Sequence, residues 1–289
     1  MGDDAAVVRS PSGPLLLAAD AVVEGVHCDL DLVGLDDMGW KALVANISDL
    51  AAVGGRPCYA LVTVAGPLTR PDFFDFELLY DGLIAASEAY NCPIVGGDIS
   101  SSPTLVVSVA VAGDGGLAPP GPVLRSGAAP GDVLFVTGPL GSSAAGLALL
   151  RGGRAAEDPD LVLAHRRPRA RLEEGAAARA AGATAMIDVS DGLAADLRHL
   201  ADASGVGVVL DRVPVAMGVS RVSDEPEALA LGGGEDYELV FAAPDGYPVE
   251  TLFAELGLGK PLRIGRCTAD PIERRLRDVD LPVVGWVHR

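Results

Sequence analysis

Asp188, Ser190 and Asp191 fall within four residues of one another in Ile187-Asp188-Val189-Ser190-Asp191-Gly192-Leu193. Carboxylates held so close repel unless a cation neutralises them or one takes up a proton. A single turn of this kind reads as a helix cap, because Asp191 or Ser190 stands just before the helical spacing of Leu193, Leu197 and Leu200. This chain repeats the arrangement. Asp4, Asp20 and Asp98 also adjoin strand-like runs, and Asp49 stands near the end of an amphipathic helix. Oxygen-only ligands suit hard cations, and magnesium completes its shell with water and phosphate oxygens. Six aspartates at Asp4, Asp20, Asp49, Asp98, Asp188 and Asp191 fit several magnesium ions around a triphosphate better than one structural calcium.

The elements that must carry these acids are legible in outline. Leu15 to Ala19 reads as a strand ending at Asp20, followed by the extended run Val22 to His27, whose histidine is equally open to a structural or a functional role. Asp36 or Asp37 caps a helix to about Val53, which puts Asn46 and Asp49 on one face, facing either solvent or a metal-phosphate site. Tyr59–Ala65 is a strand, Pro71 opens a helix to about Tyr90, and Pro93–Val95 is a short strand exiting at Gly96-Gly97-Asp98. Leu105–Ala112 is valine-rich strand. A Gly/Pro-rich bridge from Gly113 to about Pro130 marks the boundary between an N-terminal unit, 1–125, and a C-terminal unit, 126–289. Asp132–Thr137 is then a strand, and Gly138–Ser143 a turn with a serine cap that only weakly suggests a phosphate loop, since the Lys-Ser/Thr ending is missing. Arg166–Arg171 reads as a solvated face, Val206–Leu210 as a strand and Glu225–Leu231 as a short helix. Gly232–Glu238 is an acidic glycine turn before the strand Leu239–Phe241. Strands interleaved with helices give an α/β or α+β fold.

Composition narrows the function. The 289 residues suffice for two ordinary domains or one large one. A formal charge of −18 excludes a general nucleic-acid binder, though not a nucleotide substrate whose charge a metal offsets. Only Lys41 and Lys260 are lysines, so nearly all positive charge is arginine. The four cysteines form no CxxC pair and read as reduced thiols. With no signal peptide and no bilayer-length apolar run, the expectation is a soluble cytoplasmic protein. P-loop, protein-kinase and Rossmann signatures are all missing from the sequence.

Taken together in this order, Gly2-Asp3-Asp4-Ala5-Ala6, Glu24-Gly25-Val26-His27, Asn46-Ile47-Ser48-Asp49-Leu50-Ala51-Ala52, Gly96-Gly97-Asp98, Arg125-Ser126-Gly127-Ala128, Asp188-Val189-Ser190-Asp191-Gly192-Leu193 and Gly234-Glu235-Asp236-Tyr237-Glu238-Leu239 closely resemble the thiamine-monophosphate kinases. The resemblance covers essentially the whole chain. The Ser-Asp-Gly turn is shared with related families, whereas Asn-x-Ser-Asp-Leu-Ala-Ala and Gly-Glu-Asp-Tyr-Glu-Leu are far more specific.

The resemblance implies a two-domain fold like that of aminoimidazole ribonucleotide synthetase, with the N-terminal sheets of a homodimer pairing into a β-barrel. It implies magnesium-dependent transfer of the ATP γ-phosphoryl to thiamine monophosphate, without nucleic acid or membrane as partner. Asp4, Asp20, Asp49, Asp98, Asp188 and Asp191 would hold magnesium, with Asp20 and Asp191 central to catalysis. Gly97, Asp98, Arg125 and Ser190 would meet ATP, and His27, Glu235 and Trp286 the thiamine phosphate. Trp286 is equally open to a cation–π role over the thiazolium and to a C-terminal core plug.

Three departures accompany the resemblance. Relatives carry a helical segment before Gly-Asp-Asp, so a shortened start is the expectation here. Ala18 and Ala19 stand where relatives often have Ser-Thr, which leaves only backbone carbonyls as ligands. The closing Gly-Trp-Val-His-Arg replaces an aromatic followed by Asp-His-Phe. Among sister activities, selenophosphate synthesis would want a reactive N-terminal cysteine, and hydrogenase maturation a C-terminal one. Aminoimidazole ribonucleotide synthetase chemistry and a non-catalytic nucleotide-binding dimer are the alternatives.

Overall fold

The structure, a computed structural model, describes residues 6–67, 76–117 and 120–286. Asp4 and the residues that open the expected helix at Pro71 lie outside them. The chain divides into two compact units, Met1–Leu50 with Gly55–Leu117, and Ala51–Gly54 with Ala118–Arg289.

The first unit contains β1 (Leu15–Val23), α1 (Leu35–Ala52), β2 (Arg56–Gly66), α2 (Phe76–Ala89), β3 (Ile94–Ser101) and β4 (Val106–Asp114). Asp36 and Asp37 in the first turn of α1 complement its N-terminal partial charge. Leu43, Val44, Ile47 and Leu50 form its buried stripe. The helices meet at a glycine: a Cβ on Gly82 of α2 would lie 1.8 Å from the Asp36 carbonyl oxygen. The sheet order is β1-β4-β2-β3, with β2 and β3 parallel and the other pairs antiparallel. Val107, Val109 and Val111 of β4 are buried on one face. On the edge strands and β2, Leu15, Leu17, Leu61 and Ile99 are at least half exposed.

Two expectations change here. Asp20 does not end its strand, because β1 pairs with β4 without interruption from Leu15↔Asp114 to Val23↔Val106. Gly97 and Asp98 likewise sit inside β3 and not at its exit, since the ladder with β2 continues to Gly66↔Ser101. A backbone ladder carries polar side chains through provided one face can reach water.

The second unit contains β5 (Val133–Val136), α3 (Ser142–Arg151), α4 (Pro159–Arg166), α5 (Leu172–Ala180), β6 (Ala185–Asp188), α6 (Leu193–Ser204), β7 (Gly207–Leu210), α7 (Val219–Val222), α8 (Pro226–Gly232), β8 (Leu239–Ala243), α9 (Val249–Glu255), β9 (Leu262–Thr268), β10 (Arg274–Leu276) and β11 (Val279–Asp280). They build a mixed sheet in the order β11-β10-β7-β9-β5-β8-β6. One core gathers Leu134, Ile187, Leu193, Leu197, Leu200, Val208, Val240 and Ile264. A second gathers Phe135, Phe241 and Phe253, whose rings stack. Among the described residues, no helix is long and apolar enough to cross a membrane.

Candidate functional site

In the first unit, α1 fixes the strand that bears Asp20. The Asp20 amide donates to Asn46 Oδ1 at 2.9 Å, and Asn46 Nδ2 donates to the Ala42 carbonyl at 2.9 Å. Asn46 is fully buried, so its partners are backbone groups, neither solvent nor a metal-phosphate site as expected from the sequence. Asp49 lies three residues further along the same helix, about one turn away. His27 closes the turn after β1, with its Nδ1 accepting the Val23 amide at 3.2 Å. The ring proton of the neutral imidazole is thereby placed on Nε2. Glu24 ties that turn to the start of β4, its carboxylate accepting the Leu105 amide at 3.0 Å.

Asp98 accepts a hydrogen bond from Ser100 Oγ at 2.8 Å. The glycine before it admits a close approach, though to protein: a Cβ on Gly97 would lie 1.7 Å from the Val62 carbonyl oxygen. Register places Asp20, Val109, Val62 and Gly97 in one row across the sheet. Asp20 and the Gly97-Asp98 pair therefore occupy opposite edges, three strand spacings or about 14 Å apart. A single chain's sheet does not bring them together.

In the second unit, β6 delivers Asp188 to the strand exit, as the sequence suggests, and Asp188 is 3% exposed. The cap of α6 differs from expectation. Gly192 is its N-cap and makes no side-chain cap bond. Asp196 reaches back from the first turn instead, one oxygen accepting the amides of both Asp191 and Gly192 at 3.0 Å each. Asp196 is nearly fully buried, and burial first, then the charges of Asp188 and Asp191, push its carboxyl up to about 8.

Other segments grip the same turn. The Glu235 amide donates to the Ser190 carbonyl at 2.8 Å, the Tyr237 amide to Val189 at 3.0 Å and the Trp286 amide to Asp191 at 2.9 Å. Glu235 and Tyr237 accept left-handed backbone, φ 63° and 50°, to make this fit. Arg125 is carried beside β6, because the Met186 amide donates to the Leu124 carbonyl at 2.9 Å and Ser204 Oγ donates to the Arg125 carbonyl at 3.0 Å. Asp188, Ser190, Asp191, Glu235 and Trp286 are thus drawn to one strand-to-helix turn and its flanks, whereas the backbone of Arg125 sits beside the start of β6 and the last residue of α6. Trp286 is 48% exposed, which removes its reading as a core plug.

The Gly-Glu-Asp-Tyr-Glu-Leu run carries further groups that the sequence reading did not single out. Asp236 accepts the Gly141 amide at 2.6 Å and the Ser143 amide at 3.1 Å, which caps α3 in place of the expected serine and occupies amides that a phosphate would have used. Glu238 accepts Thr137 Oγ1 at 2.5 Å and pairs with Arg171. Arg171 accordingly does not belong to a solvated face; with Arg167, Arg169, Ser142, Asp236 and Glu238 it lines a cavity of about 270 Å³. His165 is buried with Nδ1 3.0 Å from Ser143 Oγ and 3.5 Å from Glu235 Oε2. Asp196 too had left a trace in the sequence, since it shares the apolar stripe of Leu193, Leu197 and Leu200.

Among the described residues, no three His, Cys, Asp or Glu side chains converge on a metal-sized site. Asp188 and Asp191 each act by their charge on the protonatable Asp196, and all three offer oxygen donors. Magnesium bound through one or two carboxylates, with phosphate and water completing the shell, fits such a set; an all-protein cage does not.

Residues 2–114 match the family described as AIR synthase related protein, N-terminal domain, and residues 129–276 its C-terminal domain. A thiamine-monophosphate kinase of Mycobacterium tuberculosis is 42% identical over 247 residues, covering 83% of this chain and 73% of the relative. Among solved structures, the thiamine-monophosphate kinase from Stenotrophomonas maltophilia K279a superposes with a TM-score of 0.86 at 33% identity, covering 97% of this chain and 90% of its own. AaThiL complexed with AMPPCP and TMP gives a TM-score of 0.84 at 34% identity, covering 100% and 92%. With both AIR synthase related domains in order and these identities across most of its length, the chain belongs to the thiamine-monophosphate kinase family.

Proposed function

We propose that this chain transfers the γ-phosphoryl group of ATP to the phosphate of thiamine monophosphate, giving thiamine diphosphate and ADP. The relative solved with AMPPCP, an ATP analogue, and TMP supports both substrates. The observation that carries the reading is the backbone tie from Ser190 and Asp191 to Glu235 and Trp286, which couples the candidate phosphate-handling turn to the candidate acceptor residues.

In the reaction, an oxygen of the acceptor phosphate forms a bond to the γ-phosphorus while the bond from that phosphorus to the β–γ bridging oxygen breaks. The acceptor phosphate is ionised near neutral pH, so no strong general base is needed and positioning dominates. Asp188 and Asp191 of the second unit would be magnesium ligands, as would Asp4, Asp20, Asp49 and Asp98 of the first. When bound, magnesium supplies charge neutralisation between two anions. Arg125 would supply positive charge toward ATP, and Ser190, Gly97 and Asp98 would make the other ATP contacts. Glu235, Trp286 and His27 would orient the acceptor.

The sheet edges support a homodimer. Pairing β1 of one copy with β3 of another would join the Asp20 edge to the Asp98 edge and cover Leu15, Leu17, Leu61 and Ile99, closing the sheets into a barrel. The free cysteines suit a reducing cytoplasm. The test is thiamine diphosphate formation with and without magnesium, alongside sedimentation analysis. Magnesium-dependent product from a dimer is expected. A folded protein that binds ATP yet makes no thiamine diphosphate would overturn the reading in favour of a sister activity or a non-catalytic nucleotide binder.

A further inference from the structure

His165 lies near the end of α4, is 5% exposed and touches none of the six aspartates in the bonds described above. Its place is rigid. Gly146 of α3 packs directly against α4, where a Cβ would lie 2.0 Å from the Leu161 carbonyl oxygen and 3.1 Å from His165 Cβ. The imidazole therefore has little room to change rotamer.

From that position, Nδ1 addresses two groups, Ser143 Oγ at 3.0 Å and Glu235 Oε2 at 3.5 Å. A ring lone pair facing a carboxylate oxygen would be repelled, so the contact favours a proton on Nδ1. Ser143 is itself anchored, its amide donating to Asp236 Oδ1 at 3.1 Å. Glu235 is thus tied at its backbone, its amide on the Ser190 carbonyl through strained left-handed backbone, and its carboxylate lies 3.5 Å from the Nδ1 of a buried histidine. Glu235 is 27% exposed at the side chain, and His165 only 6%. A ligand would meet the carboxylate while the imidazole stays behind it.

We propose that His165 is a positioning residue for acceptor recognition, fixing the Glu235 carboxylate in the orientation that receives the cationic, nitrogen-rich part of the acceptor. This rests on the reading that Glu235 faces the acceptor. The same carboxylate left to rotate would bind the acceptor more weakly while ATP binding stayed as it was.

The test compares three variants, alone and combined with Glu235→Gln, by steady-state kinetics in each substrate. His165→Asn places an amide N–H where Nδ1–H stands, His165→Gln places it where Nε2 stands, and His165→Leu supplies none. Thermal unfolding of each variant identifies the folded ones, and the Asn and Gln pair suffices if Leu does not fold. The expected result is a rise in the acceptor KM of roughly tenfold for Gln and Leu, near-native KM for Asn, and unchanged KM for ATP. Adding His165→Gln to Glu235→Gln should raise the acceptor KM no further. If Glu235→Gln raises that KM and the His165 variants do not, or if their effects multiply, His165 does not act through Glu235. If Glu235→Gln itself leaves the acceptor KM unchanged, the acceptor reading of Glu235 fails and the role of His165 fails with it.

Discussion

The amide of Trp286 donates to the carbonyl of Asp191 at 2.9 Å, joining residues 95 positions apart in the chain. Through this bond the end of the described chain holds one side of the turn whose other side Asp196 holds. The carbonyl and the amide of Asp191 are thus both engaged, and the carboxylate between them starts from a fixed backbone.

Gly285 makes that contact possible. Its φ is 132°, and a Cβ would lie 2.7 Å from Ala195 Cβ and 3.0 Å from the Asp191 carbonyl oxygen. Gly285→Ala should cost about 1–3 kcal/mol, read by denaturant unfolding, and should lower turnover more than Ala195→Gly does.

Asp191→Asn removes a charge without changing volume. Turnover should fall on the order of a hundredfold or more, with the unfolding midpoint retained. Normal activity in that variant would remove Asp191 from the metal site.

Asp196 tests the hydrogen bonds of the turn. In Asp196→Ala the amides of Asp191 and Gly192 lose their acceptor, at about 1–3 kcal/mol. Asp196→Asn keeps one oxygen able to accept both, so its unfolding free energy should stay closer to the parent's. Equal losses in the two variants would show that the charge matters and the two bonds do not.

Asp236 gives a pH dependence with a definite sign. Burial, with the charge of Glu238 in support and against the bonds from Gly141 and Ser143, raises its carboxyl from 3.8 to about 6. The folded state thus binds the proton more tightly than the unfolded chain. Its contribution is fullest below about pH 4 and is lost as pH rises through about 6, by at most about 3 kcal/mol. Asp236→Asn should flatten the unfolding free energy across that window relative to the parent; an unchanged slope would assign the titration elsewhere.

The sequence by itself determined what depends on neighbours a few residues apart. The amphipathic stripes of α1 and α6, the strand exit at Asp188 and the order of motifs that marks the family are all local patterns, and local periodicity survives any tertiary arrangement. Even there, α4 went unread, because Pro159–Arg166 has no long apolar stripe to announce it.

Tertiary structure decided which groups share a site. Asp20 and Asp98 each look like the end of a strand when read locally, yet the ladders through β4 and β2 carry both into strand interiors on opposite edges. The cap of α3 comes from Asp236, 95 residues from Gly141, and the tie on Glu235 comes from His165, on another helix. Such pairings depend on register and crossing geometry, which one chain's spacing does not encode. That is why the acids were legible in the sequence, while the residues that hold them in place became visible only in the fold.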